Sequence, residues 1–221
     1  MLIFEPYDLI IFDCDGVLLD SNNMKVAAMR AALSLSNYFS DTQVEALTSQ
    51  FKENFGMSRY HHVASFTETL DIDGVEKQKL EKMLLTAYAE QVDQFYLKVP
   101  EATGIKSTLS SLKGKLMYVA SGSEQDQLRT VLEKRNFSNY FIDVLGSPIS
   151  KTQNIKNILN SASYVSAVMV GDALADYEAA KKNNIDFIFY APLSNVKQSM
   201  LELSQKHDFK VIHSFKGSHV T

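Results

Sequence analysis

The sequence predicts an α/β fold: a parallel β-sheet covered on both sides by helices, with a separate block of helices inserted after the first strand. Three observations carry this. Asp8-Leu9-Ile10-Ile11-Phe12-Asp13 is a short apolar run bounded by acids, the pattern of a strand buried on both faces. After Pro100, apolar runs at Leu116 to Ala120, Phe141 to Leu145, Ala167 to Val170 and Asp186 to Tyr190 alternate with helical stretches near Glu124 to Arg135, Thr152 to Leu159 and Ala173 to Lys182. Such alternation favours parallel strands joined by right-handed crossovers. Between these regions, from about Asn22 to Leu97, apolar residues recur at helical spacing (Val26, Met29, Leu33; Val44, Leu47, Phe51, Phe55; Leu80, Leu84, Ala87, Val92) with almost no strand pattern. The expected division is a discontinuous sheet domain, residues 1–17 and 98–221, and a helical domain, residues 18–97.

The bulk composition sets the class. The chain has 221 residues, 45% hydrophobic and 22% charged, enough for a real core. Lys+Arg of 22 against Asp+Glu of 26 gives a net charge of -4, so no broad basic face for nucleic acid is expected and a small-molecule partner is the better fit. Cys14 is the single cysteine, which excludes an internal disulfide or a zinc site built from cysteines and suits a reducing compartment. The start, Met1 to Pro6, lacks a basic segment followed by an apolar run. No stretch approaches the roughly 20 apolar residues of a membrane span. A cytoplasmic protein without membrane association is expected. Single apolar surface residues are normal in monomers, so the sequence sets no oligomeric state.

Each strand of such a sheet delivers its next residues to one edge, where ligands of open α/β sheets bind. Asp13-Cys14-Asp15-Gly16 follows the first strand; if the extended backbone persists, alternation sends both carboxylates to one side and Cys14 to the other. Two such charges call for a cation, although Asp and Gly also make ordinary turns. Leu116 to Ala120 leads into Ser121-Gly122-Ser123, whose hydroxyl and N–H groups suit an oxyanion. Ser121 is the phosphate candidate, and Ser123 is expected to cap the helix that begins near Glu124. Gly146 to Lys151 leads into another helix, with Ser150 as its cap. Lys151 stands in the first turn, where a cation opposes the helix dipole at a cost of some tenths of a kcal/mol. That unfavourable placement sets it apart from a solvated surface lysine. Val168-Met169-Val170-Gly171-Asp172 ends a buried strand in an acid, as Asp13 does, so the two could converge on an oxygen-loving cation such as Mg²⁺. Asp176, four residues on, equally fits a helix-start partner.

Taken together, D-x-D-G, then Ser, then Lys, then G-D-x-x-x-D resembles the motif set of the haloacid dehalogenase superfamily, across the whole sheet region. The helical block resembles the small helical cap of its β-phosphoglucomutase-like and phosphoglycolate phosphatase-like members. Gly56-Met57-Ser58-Arg59 looks like a Gly-x-Ser-Arg loop with which some caps touch substrate. The resemblance implies a Rossmann-like core and a Mg²⁺-dependent phosphatase acting on a small phosphorylated metabolite. In it Asp13 is the nucleophile that forms an aspartyl phosphate. Asp15 is the acid and base, needing, when substrate is bound, a proton that neighbouring carboxylates favour. Asp13, the Asp15 backbone carbonyl and Asp172 hold the metal. Ser121, Gly122 and Lys151 hold phosphate, and Asp176 orients Lys151 or a metal-bound water. Lys25 and Arg59, with Tyr60, His61 and His62, would read the leaving group. True dehalogenases lack an acid at Asp15, which favours phosphoryl transfer. A phosphomutase is the alternative, but the cap-hinge histidine expected of one is absent from Ser21-Asn22-Asn23-Met24-Lys25, and Lys25 stands near its place. A phosphonate-cleaving enzyme would need a Schiff-base lysine, for which Lys25 or Lys52 could serve. A non-catalytic phospho-ligand-binding protein would be expected to show degenerate motifs. Hinges are expected at Val17 to Ser21 and Lys98 to Thr103.

Overall fold

The computed structural model of the chain describes residues 2–216. Strands β1 (Leu9–Phe12), β2 (Leu116–Glu124), β3 (Asp143–Ser147), β4 (Ala167–Gly171), β5 (Asp186–Tyr190) and β6 (Lys210–Ile212) form one sheet in the order β3-β2-β1-β4-β5-β6, every pairing parallel. This is the Rossmann-like order, in which the chain works outward on one side of β1, then crosses to the other. The point of reversal lies between β1 and its neighbours, so the residues that follow β1, β2 and β4 share one edge.

The all-apolar strands are explained by burial from both sides. Along β1, Ile10 and Phe12 enter one core with Val119, Leu128, Val131 and Val170, while Leu9 and Ile11 enter the other with Met169, Ile155, Ile158 and Met200. Helices α5 (Ile105–Ser111) and α6 (Gln125–Lys134) supply the first core; α7 (Lys151–Ser161), α8 (Leu174–Lys182) and α9 (Lys197–His207) supply the second.

Between β1 and α5 come α1 (Asn22–Leu35), α2 (Asp41–Glu53), α3 (Arg59–Thr67) and α4 (Gly74–Phe95). Their starts follow local chemistry: Ser40 and Gln43 form a reciprocal capping box, Ser58 accepts from the His61 N–H, and Asp73 accepts from the N–H groups of Val75 and Glu76. Helix α1 packs on α2 and α4, and α3 on α4, joining Met29, Leu33, Leu80 and Leu84 to the first core. The two connections to the sheet run side by side: the Asp20 N–H donates to the Pro100 carbonyl (2.8 Å) and the Ala102 N–H to the Leu18 carbonyl (2.9 Å).

The structure departs from the sequence expectation in places. β2 continues through Ser121, Gly122 and Ser123, shifting register after Ala120 so that Glu124 pairs with Ser147. β3 begins at Asp143 because Ser138–Tyr140 forms a 3-10 turn. Strand β6 and helices α5 and α9 were not anticipated; three residues, Lys210 to Ile212, are too few to show a pattern. Among the described residues no helix is long and apolar enough to cross a membrane.

Candidate active site

Beyond Phe12 the chain leaves the sheet with one more pairing, the Asp13 N–H to the Val170 carbonyl at 2.9 Å. Cys14 turns into the apolar core, and Gly16 adopts φ +74, a left-handed conformation that suits glycine. Gly16 is also required by space: a Cβ there would stand 2.1 Å from Asp172 Oδ2 and 2.5 Å from Asn22 Nδ2. Asp13 and Asp15 consequently face one small cavity of about 30 Å³, lined also by Ser121, Gly122, Ser123, Lys25 and Arg59, under Phe51, Phe55, His62 and Tyr88. That volume takes one or two waters and no organic group.

The two acids have opposite surroundings. Asp13 accepts the Cys14 N–H (2.7 Å) on Oδ1 and faces Lys151 Nζ at 3.1 Å from Oδ2. Burial pushes its carboxyl up to about 7 against the pull of Lys151, with Asp176 and Asp15 adding to the rise. Asp15 is saturated with donors. Ser21 Oγ (2.5 Å) and Tyr96 OH (2.7 Å) donate to Oδ1, and Lys25 Nζ (2.6 Å) and Ser123 Oγ (2.6 Å) donate to Oδ2. Burial acts to raise this carboxyl too, but the Lys25 charge and the hydrogen bonds from Lys25, Ser123 and Ser21 outweigh it, so Asp15 is held below its ordinary value. Without substrate, the oxygens of Asp15 meet an ammonium and three hydroxyls, so the proton that its expected role requires when substrate is bound is not favoured in this arrangement.

Ser123 likewise corrects the sequence reading: it does not cap α6. Glu124 does, accepting the N–H groups of Asp126 and Gln127, while the Ser123 hydroxyl accepts from Lys25 (2.5 Å) and donates to Asp15. Ser121 lines the cavity, its oxygen accepting the Ser123 N–H at 3.3 Å. Ser150 caps α7 as expected. Lys151 reaches between Asp13 and Asp176, and although burial acts to lower its pKa, those two charges raise it. Asp176 also accepts the N–H groups of Asp172 (3.1 Å) and Ala173 (3.0 Å), so both its oxygens are engaged.

Asp172 is 1% exposed; Asn22 Nδ2 donates to its Oδ2 at 2.7 Å, and its Oδ1 has no hydrogen-bond partner among the described residues. Burial, then Asp176 and Asp13, raise its carboxyl well above the usual range. Carboxylate oxygens of Asp13, Asp172 and Asp176 lie within 4.8 Å of one another. An all-oxygen set containing a buried oxygen without a donor fits a hard divalent cation such as Mg²⁺.

On the helical side, Arg59 is buried over the Tyr88 ring (4.9 Å to the centroid) and donates to Gln127 Oε1 at 2.5 Å. His62 lies in the aromatic roof, whereas Tyr60 and His61 are exposed and stand outside this cavity. Lys25, 3% exposed, spends its ammonium on Asp15, Ser123 and Tyr96. The loop at Gly56-Met57 rests on Gly122, where a Cβ would come within 2.5 Å of the Gly56 carbonyl oxygen. Four residues at the site were missed from sequence: Ser21, Asn22, Tyr96 and Ser123. Ser21 and Asn22 had the signal of directly following the turn after Asp15; Tyr96, 81 residues beyond Asp15, had none.

A family model described as haloacid dehalogenase-like hydrolase matches residues 10–190. No curated protein sequence matches the chain. Among solved structures it is similar to a predicted phosphatase from Clostridium acetobutylicum (22% identity, TM-score 0.68, covering 91% of this chain and 98% of that one). It is similar also to a haloacid dehalogenase-like family hydrolase from Streptococcus pneumoniae (16% identity, TM-score 0.68, 94% of each chain). A third is a predicted phosphoglycolate phosphatase from Haemophilus somnus (16% identity, TM-score 0.66, 95% of each chain). At these identities the structures speak for the fold. With the family model spanning the sheet from β1 to the end of β5 and enclosing all the acids gathered at its edge, the chain belongs to the haloacid dehalogenase-like hydrolases.

Proposed function

We propose that this protein is a cytoplasmic, Mg²⁺-dependent phosphatase that hydrolyses a small phosphomonoester, a sugar phosphate or a phosphorylated acid, through an aspartyl phosphate on Asp13. The observation that carries the reading is the convergence of Asp13, Lys151, Asp172 and the Ser121-Gly122 strand end on the edge where β1, β2 and β4 finish. The phosphatase names of the structural relatives agree with it.

In this reading Asp13 attacks phosphorus, the bond to the leaving oxygen breaks, and water later attacks the same phosphorus to release phosphate and restore Asp13. Lys151, the Ser121 hydroxyl and the Gly122 N–H hold the phosphate oxygens as charge redistributes. Asp13, Asp172 and the Asp15 carbonyl would hold Mg²⁺, which would supply positive charge to offset repulsion between the carboxylates and the phosphate. Asp176 keeps Lys151 in place from behind. Asp15 gives a proton to the leaving alkoxide and takes one from the attacking water. Its first task requires that it take up a proton from solvent beforehand, which its pairing with Lys25 opposes, and Lys25 lines the cavity where an anionic substrate would compete for its ammonium.

Helices α1 to α4, within residues 18–97, act as a cap over the core of residues 1–17 and 98–221. A cavity of about 30 Å³ is too small for an organic substrate, and opening of the cap at the paired connections near 17–21 and 98–103 would admit one. Phosphate release from a panel of small phosphomonoesters, with Mg²⁺ or with chelator, tests the proposal. Turnover by wild type with Mg²⁺, and its loss in Asp13→Asn, is expected; wild-type-like turnover in Asp13→Asn refutes it.

A further inference from the structure

Asn22, the first residue of α1, is a 1% exposed polar side chain whose oxygen Oδ1 has no hydrogen-bond partner among the described residues. Its nitrogen is fully used. Nδ2 donates to Asp172 Oδ2 at 2.7 Å and to the Leu193 carbonyl at 3.0 Å. The orientation of the amide follows from these two acceptors, because exchanging N and O would set oxygen against oxygen twice. The amide oxygen is bonded to the same carbon as the nitrogen that holds Asp172, and Asp172 carries the second unpartnered oxygen, Oδ1. Two buried acceptors without donors therefore stand beside one hydrogen bond.

We infer that Asn22 is a positioning residue for the cation site: its nitrogen fixes Asp172, and its unpartnered oxygen accepts a hydrogen bond from a water in the hydration shell of a bound divalent cation. The inference rests on the reading of Asp13 and Asp172 as cation ligands. A hydrated cation would answer both unpartnered oxygens at once, the ion at the carboxylate oxygen and its water at the amide. Mg²⁺ suits this because it keeps several waters when protein-bound. The neighbourhood is built for such an approach. Gly16 leaves the room that a Cβ would take from Asp172 and Asn22, and the segment after β5 is tied to the same point by Leu193 and by the Ser194 hydroxyl, which donates to the Asp172 carbonyl at 2.5 Å. Because Asn22 opens the first inserted helix, its contacts link cation binding to the placement of α1.

Calorimetric titration with Mg²⁺ and the Mn²⁺ electron paramagnetic resonance signal, both without substrate, test this on wild type, Asn22→Leu, Asn22→Ala and Asp172→Ala. Hydrogen-bonding neighbours of metal ligands typically change affinity by about 10–100-fold. Asn22→Leu, which matches the volume and offers no polar atom, is expected to weaken Mg²⁺ binding by that factor. Asn22→Ala should lose less, because water can enter the vacated space and donate to the Asp172 and Leu193 oxygens that Nδ2 served. Asp172→Ala should abolish binding. Denaturant midpoints in chelator report folding separately, and if the leucine variant does not fold, a weakened affinity in folded Asn22→Ala supports the inference. Wild-type affinity in folded Asn22→Leu or, failing that, in Asn22→Ala, alongside lost binding in Asp172→Ala, overturns the role of Asn22 and leaves the phosphatase reading intact. Absence of Mg²⁺ binding by the wild type overturns both.

Discussion

Lys25→Met isolates what holds the charge of Asp15. Methionine keeps an unbranched stem beside Tyr96, over whose ring the ammonium sits 4.3 Å from the centroid, and removes the charge 2.6 Å from Asp15 Oδ2. Asp15 is 4% exposed and keeps three neutral donors, the hydroxyls of Ser21, Tyr96 and Ser123. Breaking a buried ion pair from one side costs about 3–5 kcal/mol, and the surviving hydrogen bonds place the cost at the low end, about 3 kcal/mol. For a chain of this size each kcal/mol moves Tm by about 2–4 °C, giving a fall of about 6–12 °C at pH 8. The pH dependence follows from the direction of the shift. Wild-type Asp15 is held below its unfolded value, so its contribution is present above about pH 4 and is lost as pH falls through the lower folded value. In the variant burial is no longer opposed by a charge and the folded carboxyl rises. Asp15 then destabilises at high pH and is relieved when it takes up a proton. The gap between wild type and variant should be widest at pH 8 and should narrow by pH 5, in thermal melts run with chelator. An equal gap at both pH values would refute the claim that Lys25 holds the charge of Asp15.

Two further outcomes follow from packing. His62, enclosed by Phe51 and Phe66 with its pKa lowered to about 4 by burial and then by His61, stays neutral in the folded protein, while the unfolded chain takes up a proton below about pH 6.5. Stability should fall by up to about 3 kcal/mol as pH drops from 6.5 to 4, and His62→Phe should remove that part of the slope in denaturant midpoints; an unchanged slope would discount His62. Gly122→Ala brings a Cβ within 2.5 Å of the Gly56 oxygen and 2.8 Å of the Met57 oxygen. Amide exchange across residues 54–58 should accelerate while α7 and α8 keep their protection, and unaltered exchange in that loop would show that the contact does not hold it down.

The legible part of the site is the part that strand ends deliver. Leu9 to Phe12 and Val168 to Val170 are uninterrupted apolar runs because helices cover both faces of the sheet, and an acid follows each, directly or after Gly171, because the strand end leaves the core for the edge. Lys151 was legible for a different reason. A cation at a helix start is unfavourable alone, and the structure supplies Asp13 and Asp176 as its cause. The surroundings of Asp15 were not legible. Alternation tells which side of a strand a residue takes, but Asp15 lies in the turn that Gly16 makes, where side-chain direction depends on φ +74 and on partners from Ser21, Lys25, Tyr96 and the prolonged β2. Ser123 fits a helix cap in the sequence for the same reason: that β2 runs on to pair Glu124 with Ser147 is a tertiary fact.

The contrast between the two acids gives the site a direction. A pair of titratable groups whose environments push them apart ordinarily marks which is the acid and which the base. Here the division is the reverse of what attack requires, since Asp13, the proposed nucleophile, is pushed up to about 7 and Asp15, the proposed acid, is held ionised. Each is held in that state by a specific lack or excess of positive charge. Asp13 shares Lys151 with Asp176, so one ammonium serves two buried carboxylates, whereas Asp15 has Lys25 and three hydroxyls to itself. A dianionic phosphate that draws Lys25 away raises the proton affinity of Asp15, and positive charge brought to Asp13 and Asp172 lowers that of Asp13. In the proposed cycle the substrate-free, cation-free site is therefore unready in both its acids: the phosphate corrects Asp15 and the cation corrects Asp13.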